Sequence, residues 1–212
     1  MCSMGFQHFL LPSKLVGRDR TAVCRAVFDP AKPKGEVLLR RVVPQEVMEV
    51  ADLRSRVFGG PDSEINRRRN IYNAITNRIA TGSVACFVAV SRPSNVIVGS
   101  VDATLYNDKG NLVKYSNAFI SKERKVIYIS SMAVDLSHRK QGVGQSLLRT
   151  VVNLATEVVA EEILLHVERD NVAAQSLYTS AGFENLIITP SMEWLNFGIP
   201  EHEEPRRLHL NG

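Results

Sequence analysis

The stretch from Val126 to Leu148 restricts this chain most. An apolar strand pattern over Val126–Val134 runs into a short turn, Leu136-Ser137-His138, then into Arg139-Lys140-Gln141-Gly142-Val143-Gly144, and a helix begins. The helix pattern extends over 142–159 and stacks Leu147, Leu148, Val151, Leu154 and Val158 on one stripe. Glycine in such a turn lets the backbone approach a ligand with no Cβ in the way. The unpaired N–H groups at a helix start, with the positive end of the helix dipole, attract an anion. Arg139 and Lys140 add charge, so the turn suits a pyrophosphate. It is not a Walker loop, because no Gly-Lys-Ser/Thr follows, and it lacks the Gly-x-Gly-x-x-Gly of dinucleotide folds. An ordinary connection between strand and helix is the other reading of this segment taken alone.

Around it the pattern alternates. Val37–Val43 reads as a strand. A helix over 45–58 places Val47, Val50, Leu53 and Val57 at helical spacing and is broken at Phe58-Gly59-Gly60-Pro61. A second helix, Glu64–Ala80, turns Ile65, Tyr72, Ile75 and Ile79 to one face and leaves Arg67–Arg69 largely off it. Strands at Val84–Val90 and Val96–Leu105 are joined by Arg92-Pro93-Ser94-Asn95, a hairpin signal. Asn107–Lys125 is polar and reads as a mobile loop. After the helix beyond Gly142 come a strand at Glu162–Val167 and a short helix, Asn171–Ser180, stopped by Gly182. The order β-α-α-β-β-β-α-β-α-β predicts an α/β fold in three layers, one domain over 35–212, with a last strand at about Arg206–Leu210.

The remaining composition mostly excludes. A net charge of +4 and a pI near 9.1 suit an anionic ligand. The basic residues are not interleaved with aromatics and no nucleic-acid motif is present, so nucleic acid is not the expected partner. No apolar run approaches the ~18–20 residues of a membrane span, so no membrane partner is expected. Cys2, Cys24 and Cys86 are too few and too scattered for a disulfide framework or a zinc site, and no metal is expected. Cys86 reads as a small core residue of its strand. Residues 1–34 contain Arg18, Arg20 and Arg25 and few acids, the character of an organellar transit peptide, for example to a plastid. A disordered tail on a cytoplasmic protein is the alternative.

The second motif, Asn171-x-x-Ala174-x-x-Leu177-Tyr178-x-x-x-Gly182-Phe183, makes the first specific. Together with Arg139-x-x-Gly142-x-Gly144, some 30 residues earlier, it resembles the paired signature of the GNAT superfamily of N-acetyltransferases. The resemblance implies the three-layer GNAT fold, with a mixed central sheet whose fourth and fifth strands splay and helices on both faces. It implies acetyl-CoA as cosubstrate. Met132, Ala133 and Val134 would line the pantetheine arm through their backbones. Arg139, Lys140, Gln141, Gly142, Val143, Gly144 and Gln145 would hold the pyrophosphate. Asn171 would bond the pantetheine, with Ala174 beside it. Tyr178 would donate a proton to the leaving thiolate, a sound role for a phenol; helix packing is its bland alternative.

The base that deprotonates the amine is expected in His166, in Leu165-His166-Val167, assisted by Tyr128, in Tyr128-Ile129-Ser130-Ser131-Met132-Ala133-Val134. This pair is similar to the Tyr and His of certain protein N-terminal acetyltransferases, and an imidazole titrates in the range such work needs. Core packing of both residues, with a backbone-held water as base, is the alternative. The acceptor would be a protein α-amine and in some cases a lysine; a small-molecule amine is the second reading, and a non-catalytic acyl-CoA-binding module the third. The resemblance implies that specificity comes from Phe58–Ser63 and from Pro190–Pro205, which carries Trp194, Phe197, Glu201, Glu203 and Glu204; a solvated C-terminal tail is the alternative for the latter.

Overall fold

The computed structural model describes residues 36–187, 195 and 203–210. The expectations for residues 1–34, Trp194, Phe197 and Glu201 lie outside them. Seven strands form one mixed sheet in the order β1-β2-β3-β4-β5-β7-β6. The strands are β1 Val37–Arg41, β2 Val84–Ser91, β3 Val96–Asn107, β4 Lys125–Val134, β5 Glu162–Glu168, β6 Glu184–Asn185 and β7 Glu203–His209. The helices are α1 Val47–Phe58, α2 Glu64–Ala80, α3 Val143–Glu157 and α4 Val172–Ser180. The expected order therefore stands. The last strand begins three residues earlier than expected, and the two-residue β6, too short to show a period, adds the far edge.

Covering the sheet on both faces explains why β2 and β3 read as unbroken apolar runs. Ala85, Phe87 and Ala89 of β2 join the core beneath α3, with Leu147, Leu148 and Val151. Cys86, Val88 and Val90 alternate with them and join Val50, Leu53 and Ile75 of α1 and α2. Two periodicity expectations need correction. Ile65, assigned to the buried face of α2, is 79% exposed, because it sits in the first turn, beyond the reach of the sheet. Asn107–Lys125 is also more than a polar loop. Val113 and Ala118 are buried, and the Tyr115 hydroxyl donates to the Ala103 carbonyl at 3.0 Å. The Arg41 guanidinium stacks 5.6 Å from the Tyr115 ring. These anchors follow neither a helical nor a strand period, so pattern reading misses them.

Two irregularities open the middle of the sheet. In the β3–β4 ladder Asp102 pairs with Ser130 but Ser100 pairs with Ala133, so β4 carries one extra residue there. Ser131 takes a positive φ of 53° at that bulge, as an added residue in a ladder must be turned out of it. On its other side β4 runs parallel to β5 only through Val126↔Glu162, Ile127↔Ile163 and Tyr128↔Leu164. Beyond Tyr128 the two strands part. The backbone edge from Ile129 to Val134 that faces β5 is thus outside any ladder, as the expected splay requires.

Candidate active site

The glycine turn is built by local bonds. Asp135 accepts from the Ser137 amide at 3.0 Å and from the Ser137 hydroxyl, and the hydroxyl bond leads the causes that hold its carboxyl below the usual range. Gln141 donates to the Ser137 carbonyl at 2.7 Å. Lys140 and Gly142 both have positive φ, 58° and 82°, and the chain enters α3 from that left-handed corner. Gly142 precedes the helix with no side-chain cap, and the first intrahelical bond recorded here runs from Ser146 to the Gly142 carbonyl. The N–H groups of Val143, Gly144 and Gln145 are therefore the orphan donors of the first turn. Arg139 and Lys140 are exposed beside them. This donor set, next to the open edge of β4, fits a pyrophosphate followed by an amide-bearing arm.

Gly144 has a second reason for lacking a side chain. A Cβ there would stand 3.2 Å from Leu177 Cδ2, so the glycine lets α4 pack against the start of α3. Asn171 caps α4 by accepting from the Ala174 amide at 3.1 Å. Its Oδ1 is committed to the helix, which leaves the amide NH2 as its group for a ligand carbonyl. Ala174 is half-buried and packs against the α3-side core.

Tyr178, on α4, is 7% exposed. Its ring lies 5.6 Å from that of Phe183, and its hydroxyl donates to Met132 Sδ at 3.4 Å. The phenol thus reaches across the splay from the α4 side to β4. Burial pushes its pKa up to about 12.

On the opposite face of the same opening, the Tyr128 hydroxyl lies 3.0 Å from His166 Nδ1, their rings tilted and 5.8 Å apart. Burial raises the Tyr128 pKa first, Glu203 and Tyr106 raise it further, and Arg78 opposes. The structure therefore brings together Tyr128, His166, Met132 and Tyr178, which the sequence had pointed to from three separate segments.

Sequence reading missed the polar cluster beneath Tyr128. Asp102, 1% exposed, is held by Arg54 of α1 through bonds of 2.9 and 2.7 Å. Arg54 also donates to Ser100 Oγ at 3.0 Å and to Cys86 Sγ at 3.7 Å. Cys86 is buried as expected, but its neighbours are charged; burial and then Asp102 raise its thiol pKa. Arg78 of α2 donates to Asp102 at 3.2 Å, to Thr104 at 3.1 Å and to Ser130 at 2.9 Å. A signal was available: Arg54 interrupts the α1 stripe one turn after Val50, and Asp102 interrupts an apolar strand. Opposite charges at two positions that burial patterns mark as interior must find each other.

Arg67 was also passed over as a surface residue. It donates to Ser55 Oγ at 3.2 Å and to the carbonyls of Gly60 and Asp62 at 2.7 and 2.8 Å, and so ties the Phe58–Ser63 connection to α1. Among the described residues no group of His, Cys, Asp and Glu could hold a metal ion, and no helix is long and apolar enough to cross a membrane.

The model of the acetyltransferase (GNAT) family matches residues 47–183. The rat protein named N-acetyltransferase 8B is 32% identical over 77 residues, 36% of this chain and 35% of that protein. An Arabidopsis protein named GCN5-related N-acetyltransferase 6, chloroplastic, is 37% identical over 57 residues, 27% of this chain and 20% of that one. The chain thus spans about a third or less of the length of these two relatives. Among solved structures, Arabidopsis NAA60 in complex with acetyl-CoA covers 84% of this chain and 100% of its own, with a TM-score of 0.59 and 20% identity. That likeness is one of fold.

Proposed function

This chain belongs to the acetyltransferase (GNAT) family, and we propose that it carries the acetyl group of acetyl-CoA to a protein N-terminal α-amine, with lysine side chains as a secondary acceptor. The observation that carries the reading is the Tyr128–His166 pair at 3.0 Å, facing the unladdered stretch of β4 from one side while Tyr178 reaches it from the other.

Acetyl-CoA supplies an activated acyl group on a thiol leaving group. The chain's residues would do the rest. The α3 first-turn amides, with Arg139 and Lys140, neutralise the pyrophosphate. The free edge of β4 at Met132–Val134 bonds the amide-bearing arm as an added strand would, and Asn171 NH2 meets it from α4. Ala174, half-buried between them, gives the arm a flat wall. An amine must lose a proton as it forms its bond to carbon. If the Tyr128 hydroxyl donates to Nδ1, the phenol oxygen accepts the amine's proton as its own passes to the imidazole, so the pair acts as a relay. Tyr178 keeps its proton well past neutrality and gives it to the departing sulfur.

The names of these two relatives, both N-acetyltransferases, support the reaction class. The name of the chloroplastic relative supports a plastid address for the protein. The test is acetyl transfer from acetyl-CoA, on the full chain, to peptides with varied N-termini, to internal lysines on N-blocked peptides and to small amines. Acetylation of peptide α-amines that His166→Ala weakens is the expected result. Transfer to small amines alone would overturn the substrate and leave the acetyl-CoA site standing.

A further inference from the structure

Two guanidiniums share one carboxylate beneath the acceptor face. Arg54 takes both oxygens of Asp102 and is itself buried, so that pair is neutral as a unit. Arg78 shares only Oδ2, at 3.2 Å, and its side chain is 36% exposed. One positive charge is left over, and it resides on Arg78.

Its position is set by the sheet. Thr104 and Tyr128 are cross-strand partners, as are Asp102 and Ser130, so all four side chains share the face that α2 covers. The Arg78 NH2 group bonds Thr104 and Ser130, the two residues that flank Tyr128 on that face. The Tyr128 hydroxyl then touches His166. Arg78 therefore bonds both side chains that flank Tyr128, whose hydroxyl meets His166.

We propose that Arg78 is a positioning residue for the reaction, whose surplus charge holds the His166 imidazole in its uncharged, proton-accepting form. The proposal rests on the reading of His166 as base. The groups around the pair pull in opposite directions. Glu203 of β7 lies on this side and pairs across strands with exposed Glu168; their negative charge favours the imidazolium. Tyr106 of β3, Tyr178 of α4 and Tyr128 itself are neutral while protonated, and Tyr178 and Tyr128 hold their protons well above neutrality. Asp102 is already cancelled by Arg54. Arg207 of β7 shares the face of His166, and its charge is met by Glu184 at 2.9 Å. Arg78 is the cation whose bonds reach both neighbours of Tyr128, and it opposes Glu203. A like charge nearby disfavours protonation of a base. Without Arg78, the carboxylates would bias His166 towards the imidazolium, which accepts no proton.

The test reads the charge rather than the turnover. The full chain is labelled with ¹³C-histidine, and the His166 resonance, assigned by its loss in His166→Gln, is titrated in the wild type, Arg78→Gln and Arg78→Lys. In Arg78→Gln the His166 titration should move upward by about half a pH unit or more; in Arg78→Lys it should stay near the wild-type position. An unmoved titration in Arg78→Gln overturns the proposal, and so does an equal shift in Arg78→Lys, which would make shape rather than charge the agent. Should Arg78→Gln fail to fold, Ser130→Ala frees the inner anchor while keeping the sheet, and a smaller upward shift is expected; no shift overturns the idea. Because no acceptor is present, this experiment is independent of the peptide assay. In turnover, the acid limb of kcat/KM should move upward in Arg78→Gln while the KM for acetyl-CoA holds.

Discussion

The Tyr128 hydroxyl and His166 Nδ1 meet at 3.0 Å just where their two strands stop pairing. Tyr128 is the last residue of β4 in the β4–β5 ladder, and His166 lies two residues past its partner Leu164. A fully zipped ladder would cover the backbone edge that the acyl donor needs. A wider gap would lose the hydrogen bond. The pair thus marks the root of the splay.

Removing either member should slow proton removal from the amine. His166→Ala is expected to lower kcat on the preferred acceptor by about 10²-fold or more, the scale of general base catalysis. Tyr128→Phe should lose less, and the double variant should be little worse than His166→Ala, as for two groups acting as one unit. Steady-state kinetics on the three variants check this; full additivity would dissolve the relay.

Tyr178→Phe should depress kcat by about 10²–10⁴-fold with the KM for acetyl-CoA nearly unchanged. The phenol touches Met132 and the leaving sulfur's expected place, not the pyrophosphate turn. An unchanged kcat removes Tyr178 as the acid.

The buried phenols give a pH prediction. Folding raises the Tyr178 pKa to about 12, and burial likewise raises Tyr128 and Tyr115. A neutral acid with a raised folded pKa stabilises the fold fully below its unfolded pKa of about 10, and that stability is lost as the pH rises through the folded value. Three of the five tyrosines should therefore stay protonated at pH 10, with their ionisation appearing only together with unfolding. Absorbance at 295 nm against circular dichroism checks this, and five normal titrations would refute it.

Gly142→Asp should abolish the thermal stabilisation that acetyl-CoA gives the protein. The residue sits at φ 82°, where a side chain is strained, and adds a negative charge where the orphan amides receive an anion. A thermal shift titration reads it directly; a normal shift would move the cofactor site elsewhere. Gly144→Ala is expected to act differently, through the 3.2 Å approach of Leu177, by lowering Tm even without ligand.

Asp102→Asn should cost about 3–5 kcal/mol of unfolding free energy, because it leaves the Arg54 charge buried without a counter-ion. Urea denaturation measures it, and a loss under about 1 kcal/mol would mean that Arg54 finds another partner or water.

What the sequence determined by itself was local. The glycine turn is one contiguous run whose conformation follows from its glycines and the helix behind it, so the shape of 139–145 could be read in order. The helix expected over Asn171–Ser180 was legible for the same reason: Asn171 caps it and it runs over Val172–Ser180. The tertiary structure decided the contacts between residues far apart in the chain. Arg54 and Asp102 are 48 positions apart, Arg78 and Ser130 are 52. Nothing in either segment states the register that joins them; only the placement of α1 and α2 over β3 and β4 does. The same holds for Gly144, whose missing side chain is filled by Leu177 from another helix, and for Val113, Tyr115 and Ala118, whose burial follows no period. Backbone conformation is set by neighbours in sequence, whereas charge pairing and close packing are set by neighbours in space, and these exist only once the sheet has chosen its strand order.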